Sequence, residues 1–311
     1  MRTVYLGTSD FAAVVLRRLA DSAHRPSLVV TRPDRPRGRG RKLSPPPVAQ
    51  AARELGIAVD QPASVNAPEA IDTIALARPD VVLVCAFGAL ITEPLLSRWE
   101  MLNVHPSLLP RWRGAAPIER AIISGDEVTG VSIMRVGAGF DDGPVCALAG
   151  EPIRPDDTYG TLAARLEELG AELLMHTLDE RPPCDEQDEA LVTYADKITT
   201  DDRELDPSRP AVELERVVRA MTPHIGAHVL LEDGSRLGVR SARVAADSLA
   251  GGGPPQGTVS FAGGGPPQGT VSFDGSVPVL WCADGALELL EVQPPGGRPM
   301  SGEDYLRGHR R

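Results

Sequence analysis

Asn103 and His105, two positions apart, are the pair in this sequence best suited to acyl-transfer chemistry. They lie near the end of a predicted strand, 101–105, and Pro106 ends it because proline cannot continue a strand ladder. Side chains two apart on a strand point to the same face of the sheet. Both would lie at the carboxyl end of the strand, where open α/β sheets bind ligands. An amide and an imidazole there could stabilise an oxyanion and protonate a leaving amine. The alternative is a turn cap or a satisfied polar pair.

A carboxylate follows the next predicted strand, 130–136. The chain continues as Gly-Ala-Gly-Phe-Asp141-Asp142-Gly, and its glycines allow a tight turn with positive φ. Asp141 beside His105 would hold the tautomer of the ring and stabilise its charged form. An Asx turn at a strand exit is the alternative interpretation.

The segment 32–42 is strongly basic. It contains six cationic side chains and one aspartate, whereas the whole chain has a net charge of −11. The overall charge excludes a uniformly basic nucleic-acid binder, so any RNA contact must come from a local patch such as this one. A solvated charged loop is the alternative.

The elements that must position these residues alternate between apolar runs and helical patterns from residue 3 to 178. This alternation predicts crossover units on a largely parallel sheet. We predict strands at 3–6, 27–31, 79–85, 101–105 and 130–136, and helices beginning near Asp10, Pro47, Ala67, Glu93 and Pro117. A last helix, 158–178, would place Leu162, Leu166, Leu169 and Leu173 on one face against the sheet.

A second, smaller domain is predicted after a charged linker. We expect a catalytic domain at 1–182, a linker at 183–208, and a C-terminal domain at 209–311 that begins with a helix at 211–221 and continues as short strands of a small β-barrel or sandwich. Ser301 and Asp304 predict a capping box for a closing helix. Residues 251–262 recur as 263–274 with eleven of twelve positions identical. We expect the first copy to be an exposed excursion and the second to form the barrel strand.

The four cysteines, at 85, 146, 184 and 282, form no close pair and have no zinc-ligand spacing. We therefore expect buried free thiols rather than a disulfide. The longest apolar run, 81–91, is far shorter than the roughly 20 residues that cross a bilayer, and no signal-peptide pattern precedes the first strand. These features predict a cytoplasmic protein.

Four strings, taken together, resemble the methionyl-tRNA formyltransferase family. They are NVHPSLLPRWRGAAPIERAI, GFDDGP, YLGTSDFAAVVLRRL and TRPDRPRGRGRKLSPPPV. The Asn-x-His-x-Ser-Leu-Leu-Pro core resembles the wider class of enzymes that use 10-formyltetrahydrofolate. The PDRPRGRGRKL loop and the segment GALELLEVQPPGGRPM resemble the branch that acts on tRNA.

The resemblance implies a Rossmann-like α/β domain followed by an OB-like β-barrel, and transfer of a formyl group from 10-formyltetrahydrofolate to methionyl initiator tRNA. It implies catalytic roles for Asn103, His105 and Asp141. It places the folate along Ser107, Leu108, Leu109 and Pro110, and the tRNA on Arg37, Arg39, Arg41 and Lys42. The family usually has Thr or Ala where this chain has Asp142, which adds a charge near the site. We expect a monomer with no metal, and no dinucleotide because Gly-x-Gly-x-x-Gly is absent.

Three other functions are compatible with parts of this pattern. One is formylation of a small amine such as glycinamide ribonucleotide or an amino sugar, and another is hydrolysis of the same folate. Neither needs the arginine loop or the C-terminal domain. The third is a non-catalytic RNA-binding module, which would tolerate loss of the Asn-His-Asp set, yet all three residues are present.

Overall fold

The computed structural model describes residues 1–37, 42–245 and 269–309. Contacts between Cα atoms divide the chain into two compact units. The first comprises Met1–Pro117, Val128–Pro152 and Ala163–Ala195, and the second comprises Ile118–Glu127, Ile153–Leu162 and Asp196–Arg311.

The first unit is built on a seven-stranded, mostly parallel sheet. The strands of the unit as a whole are β1 (Thr3–Gly7), β2 (Pro26–Val30), β3 (Arg35–Arg37), β4 (Lys42–Ser44), β5 (Ala58–Asp60), β6 (Val81–Cys85), β7 (Met101–His105), β8 (Arg113–Gly114), β9 (Val128–Arg135), β10 (Val145–Pro152) and β11 (Tyr194–Ala195). The large sheet has the order β10-β9-β7-β6-β1-β2-β5, and β9 runs antiparallel to both of its neighbours. β3 pairs with β4, and β8 pairs with β11. The α/β prediction is confirmed.

The helices begin close to where the sequence predicts them. They are α1 (Asp10–Ala20), α2 (Pro47–Glu54), α3 (Pro68–Leu76), α4 (Leu95–Arg98), α5 (Pro117–Ser124) and α6 (Tyr159–Glu180). The Ser9 side chain caps α1 by accepting from the Ala12 amide. Every residue of β1 and β6 is buried, as expected for parallel strands whose two faces are covered.

The apolar face of α6 differs from the predicted one. Leu162 and Leu166 are buried, but Leu169 and Leu173 are only half-buried, and the stripe continues instead through Leu174 and Leu178. The buried positions therefore recur every four residues along the helix. At Gly170, within this row, an added Cβ would lie 3.0 Å from Val104 of β7, so glycine lets the helix lie close to the sheet.

The expectation of free thiols was wrong for two of the four cysteines, because Cys146 and Cys184 form a disulfide. Val145 and Asp185 exchange both backbone hydrogen bonds, which places the two cysteines opposite each other in the adjacent antiparallel pair. They are 38 residues apart in sequence, so spacing did not reveal them. Cys85 is buried and free as predicted, and burial raises the pKa of its thiol to about 12.

The second unit carries an antiparallel sheet, which confirms the predicted β-rich C-terminal part. Its elements are α7 (Ala211–Met221), β12 (Ala227–Leu230), β13 (Arg236–Val244), β14 (Val271–Ser272), β15 (Val279–Trp281), β16 (Ala286–Gln293), β17 (Met300–Ser301) and α8 (Gly302–His309). The order is β12-β13-β16-β15-β14, with β17 also paired to β16. Closure of this sheet into a barrel stays a prediction. The Ser301 side chain caps α8 by accepting from the Asp304 amide at 3.1 Å.

The second copy of the duplicated segment supplies β14. Val271 pairs with Leu280, and Ser272 pairs with Val279. This is the strand that the sequence assigns to the second copy. The first copy, 251–262, lies outside the described residues.

The segment predicted as a linker, 183–208, contains local structure and is divided between the units after Ala195. It includes two short 3₁₀ turns, Glu189–Leu191 and Asp201–Arg203, besides β11. These elements are too short to produce a periodic pattern. The domain boundaries at 182 and 208 stay a prediction. None of the described helices is both long enough and apolar enough to cross a membrane.

Candidate active site

Asn103 and His105 lie at the carboxyl end of β7, as predicted. The strand runs between β6 and β9, in the middle of the large sheet, so its end lies beside the end of β6 and opposite Ser132 in the middle of β9. His105 is 4% exposed and Asn103 is half-buried. The imidazole of His105 is therefore buried, whereas the side-chain amide of Asn103 is partly accessible.

Asp141 joins these two residues from the turn after β9. Its Oδ1 accepts from Asn103 Nδ2 at 3.3 Å, and its Oδ2 accepts from the Gly114 amide at 3.0 Å. The same Oδ2 lies 3.5 Å from His105 Nδ1. The Asp141 carboxylate thus contacts both Asn103 and His105, so the three residues that the sequence indicated lie together.

The hydrogen bond that orients His105 comes from a group that the sequence did not indicate. His105 Nε2 lies 2.9 Å from the Trp112 carbonyl oxygen. Because a carbonyl can only accept, Nε2 must carry a proton there. Nδ1 is then the ring nitrogen that faces the Asp141 carboxylate, and a doubly protonated ring would donate toward both oxygens.

The second carboxylate of the turn, Asp142, is turned back onto its own loop. Cβ atoms added at Gly137 and Gly139 would overlap its two carboxylate oxygens. Glycine at both positions therefore leaves room for the Asp142 carboxylate where it lies. Asp142 is itself exposed, so this additional charge lies at the surface of the turn.

The loop 107–110 is organised mainly by its own polar groups. Ser107 is fully buried, and its hydroxyl donates to the Arg111 carbonyl at 2.6 Å. The Ser132 hydroxyl of β9 donates to the Ser107 carbonyl and accepts from the Leu109 amide. Leu109 is 5% exposed, whereas Leu108 and Pro110 are half-buried. Ser107 and Leu109 therefore shape the loop, and Leu108 and Pro110 present its accessible surface.

The basic segment is only partly described. β3 and β4 form a hairpin in which Arg37 pairs with Lys42 through the backbone. Arg39 and Arg41 lie outside the described residues, and so do the side chains of Arg37 and Lys42. Arg32 donates to the Gly88 carbonyl at 2.7 Å, so this guanidinium is bound within the first unit.

Gln187, in the segment predicted as a linker, contacts the Asp141 turn directly. Its side-chain amide donates to the Asp141 carbonyl at 2.8 Å and to the Gly143 carbonyl at 2.7 Å. The Gln187 Oε1 accepts from Arg113 Nε at 3.0 Å. Sequence reasoning missed this residue because no motif or periodicity marks it.

Arg113 links Gln187 to Glu189. The guanidinium is 3% exposed and pairs with Glu189 at 2.8 Å. Desolvation by burial acts to lower the pKa of Arg113, but the hydrogen bond and charge of Glu189 outweigh it, and the pKa is raised. Arg113 therefore remains a cation beside the site.

The same segment also holds the loop that carries Trp112 and Gly114. The Thr193 hydroxyl accepts from the Trp112 amide at 2.9 Å, and the Thr193 carbonyl accepts from the Arg113 amide. β11 continues this pairing with β8. Both backbone groups that contact His105 and Asp141 are thus positioned by residues 193–195.

Across the ranges 1–37, 42–245 and 269–309, no cluster of three or more His, Cys, Asp or Glu side chains is arranged to hold a metal ion.

Comparison with known proteins shows similarity along nearly the whole chain. The formyl transferase family model matches residues 1–178, and the formyl transferase C-terminal domain model matches residues 197–310. The methionyl-tRNA formyltransferase of Methylococcus capsulatus is 42% identical over 315 residues, which cover 99% of this chain and 97% of that protein. That of Halorhodospira halophila is also 42% identical, with coverages of 99% and 96%.

Solved structures share the fold at lower identity. The methionyl-tRNA formyltransferase from Clostridium thermocellum has a TM-score of 0.59 and 14% identity, and the match covers 79% of this chain and 94% of that one. HypX from Aquifex aeolicus, in complex with tetrahydrofolic acid, has a TM-score of 0.65 and 16% identity, over 98% of this chain and 47% of that one. With both family models matched and 42% identity over 99% of its length, this chain belongs to the formyl transferase family.

Proposed function

We propose that this protein transfers the formyl group of 10-formyltetrahydrofolate to the amino group of methionyl initiator tRNA, in support of translation initiation. The observation that carries the proposal is that the Asp141 carboxylate contacts both Asn103 and His105 at the end of β7. The relatives that are 42% identical over almost the full chain are named methionyl-tRNA formyltransferase, which favours this acceptor over a small amine.

In the proposed reaction, the neutral amine attacks the formyl carbon and forms the new C–N bond. The formyl oxygen becomes an oxyanion, which accepts from the second N–H of Asn103 and from His105 Nδ1–H. The attacking nitrogen then loses its extra proton to solvent, and when the bond to the folate nitrogen breaks, that nitrogen takes a proton from His105 and tetrahydrofolate leaves. His105 takes up a proton from solvent afterwards, so the ring returns to its starting state. Asp141 balances the charge of the imidazolium, and the Trp112 carbonyl keeps Nε2 protonated and the ring in place.

The folate is proposed to lie along the loop 107–110, which directly follows His105. Leu108 and Pro110 offer partly exposed apolar surface for a flat ring system. Ser107 and Leu109 would support the shape of the loop, because their side chains are buried. This arrangement fits the donor without requiring a metal or a dinucleotide.

The tRNA is proposed to bind Arg37, Arg39, Arg41 and Lys42. The β3–β4 hairpin supports this, because it brings the two ends of a strongly basic connection together on an otherwise acidic protein. Phosphate contacts from such a patch would position the acceptor stem. Since translation supplies the substrate, we place the protein in the cytoplasm, and we propose that it acts as a monomer.

One assay tests the proposal. Purified protein is incubated with 10-formyltetrahydrofolate and, separately, charged methionyl initiator tRNA, glycinamide ribonucleotide, an amino sugar or buffer. We expect formylated methionyl-tRNA only. Formylation of a small amine, or release of tetrahydrofolate in buffer, would instead support a small-amine transferase or a hydrolase.

A further inference from the structure

We propose that Gln187 is a positioning residue, which holds the Asp141 turn in the conformation that the reaction needs. The proposal rests on the proposed function for the reaction itself. It concerns a residue whose side-chain amide is bound by protein groups, and that acts through the backbone on both sides of Asp142.

The amide of Gln187 is fully used in one orientation. Both of its N–H groups donate to carbonyls of the turn, and its oxygen accepts from Arg113. A reversed amide would place an oxygen against two carbonyls and an NH₂ group against the Arg113 N–H, so the partners determine the orientation. The side chain therefore acts as a bridge with one allowed geometry.

The turn needs such a bridge because its backbone is strained. Asp141 has a φ of 51°, in the left-handed region that residues other than glycine adopt only rarely. The turn is also tight at Gly143, where an added Cβ would overlap the Arg135 carbonyl. The hydrogen bonds to the carbonyls of residues 141 and 143 fix the backbone of the turn directly after the residue with positive φ.

Gln187 is itself held firmly. Arg113, which donates to its oxygen, is buried and paired with Glu189. Two residues before Gln187, Asp185 exchanges two backbone hydrogen bonds with Val145, and Cys184 is bonded to Cys146. The bridge thus joins the turn to the edge strand β10.

Positioning matters here because the contacts of Asp141 are long. Its distances to Asn103 and His105 are 3.3 and 3.5 Å, so a further shift of the turn would break both contacts. Misplacement of a catalytic group by about 1 Å can cost on the order of 10²-fold in rate. Loss of the bridge should therefore lower kcat more than it changes KM.

The decisive variant is Gln187→Glu, which keeps the shape of the side chain but replaces the donor group with an oxygen. The introduced carboxylate would repel the two carbonyls while it still pairs with Arg113. We expect kcat to fall at least about 10-fold, with KM for folate and for tRNA changed less than about 3-fold.

Glu186→Gln is the matched control, because it exchanges the same two functional groups at an exposed neighbouring position. Its kcat should stay close to that of the parent. Gln187→Ala removes the bridge without repulsion, and should lower kcat by less than Gln187→Glu does. It also decides the question if Gln187→Glu fails to fold.

The outcomes separate this proposal from the proposed function. If the parental protein does not formylate methionyl-tRNA, the function is wrong. If the parent is active and both Gln187 variants keep kcat within about 2-fold, Gln187 has no positioning role. A folded Gln187→Glu variant whose KM rises as much as its kcat falls would also overturn the proposal.

Discussion

At the scale of single residues, the candidate site depends on where each acceptor lies around His105. The Trp112 carbonyl contacts Nε2 at hydrogen-bond distance, whereas the Asp141 carboxylate lies 3.5 Å from Nδ1. The ring therefore has one orienting partner and one charged partner. The charged side also contains Asn103, which makes it the side where a reacting group can be bound.

We predict that His105→Ala and Asp141→Asn each lower kcat by at least about 10²-fold, because they remove a proton donor and its charge partner. Single-turnover formylation should show the loss in the chemical step. Circular dichroism and melting temperature serve as the fold control. Near-normal formylation by His105→Ala would contradict the mechanism.

Glu167 of α6 gives a pH dependence of stability that is separate from catalysis. Burial, together with the nearby charges of Asp10 and Glu168, raises the pKa of Glu167 to about 7. The folded protein therefore holds a proton that the unfolded chain releases near pH 4 to 5. Stability should fall as pH rises from about 4.5 to 7, and the full penalty is present above pH 7.

We predict that Glu167→Gln, which cannot ionise, is more stable than the parent at pH 8 by about 1 to 2 kcal/mol, after allowance for solvent screening. The difference should vanish near pH 4.5. Urea unfolding at several pH values measures it, and Glu172→Gln, an exposed position on the same helix, is the control. An equal effect at pH 4.5 and pH 8 would contradict the assignment.

At the scale of elements, the end of β7 and the turn after β9 supply the reacting groups, and residues 185–195 fix the loops around them. The segment supports the site in two places, through Gln187 on the Asp141 turn and through Thr193 on the loop that carries Trp112. The β3–β4 hairpin is a separate element, whose proposed role is to bind phosphates.

We predict that replacing Arg37, Arg39 and Lys42 together with alanine weakens productive tRNA binding and lowers its salt dependence, because each lost phosphate contact reduces the slope. KM for folate should not change. The measurement is formylation of charged tRNA across a salt titration.

Alanine at Arg2, Arg17 and Arg18 removes the same charge from exposed positions of the first unit and is the control. If the hairpin variant matches the parent at every salt concentration, the segment is only a solvated loop.

At the scale of the whole molecule, two independently matched domains make up the chain, and the duplication falls in the second. The second copy already provides the strand that pairs with β15. A loop insertion adds an entropic cost that grows only slowly with its length.

We therefore predict that deleting residues 251–262 leaves formylation and melting temperature almost unchanged. The assay is the same tRNA formylation, with thermal unfolding followed by circular dichroism. A deletion variant that fails to fold would show that both copies are needed in the sheet.

Much of the fold and of the site could be predicted from the sequence, because the relevant signals are local. Alternating apolar runs and helical patterns located the strands that end in Asn103, His105 and the Asp141 turn. The spacing of two on β7 and the glycines before Asp141 depend only on strand geometry and on glycine φ. These features determined the α/β class and three residues of the candidate site.

Tertiary structure alone decided the contacts between residues that are distant in sequence. Gln187 lies 46 positions from Asp141, and Cys184 lies 38 positions from Cys146. Neither pair has a spacing or a periodicity that reveals it, because the contact depends on how the chain after α6 returns to β10. The backbone carbonyl of Trp112 has no side-chain signal at all, so only the folded loop could show that it holds His105.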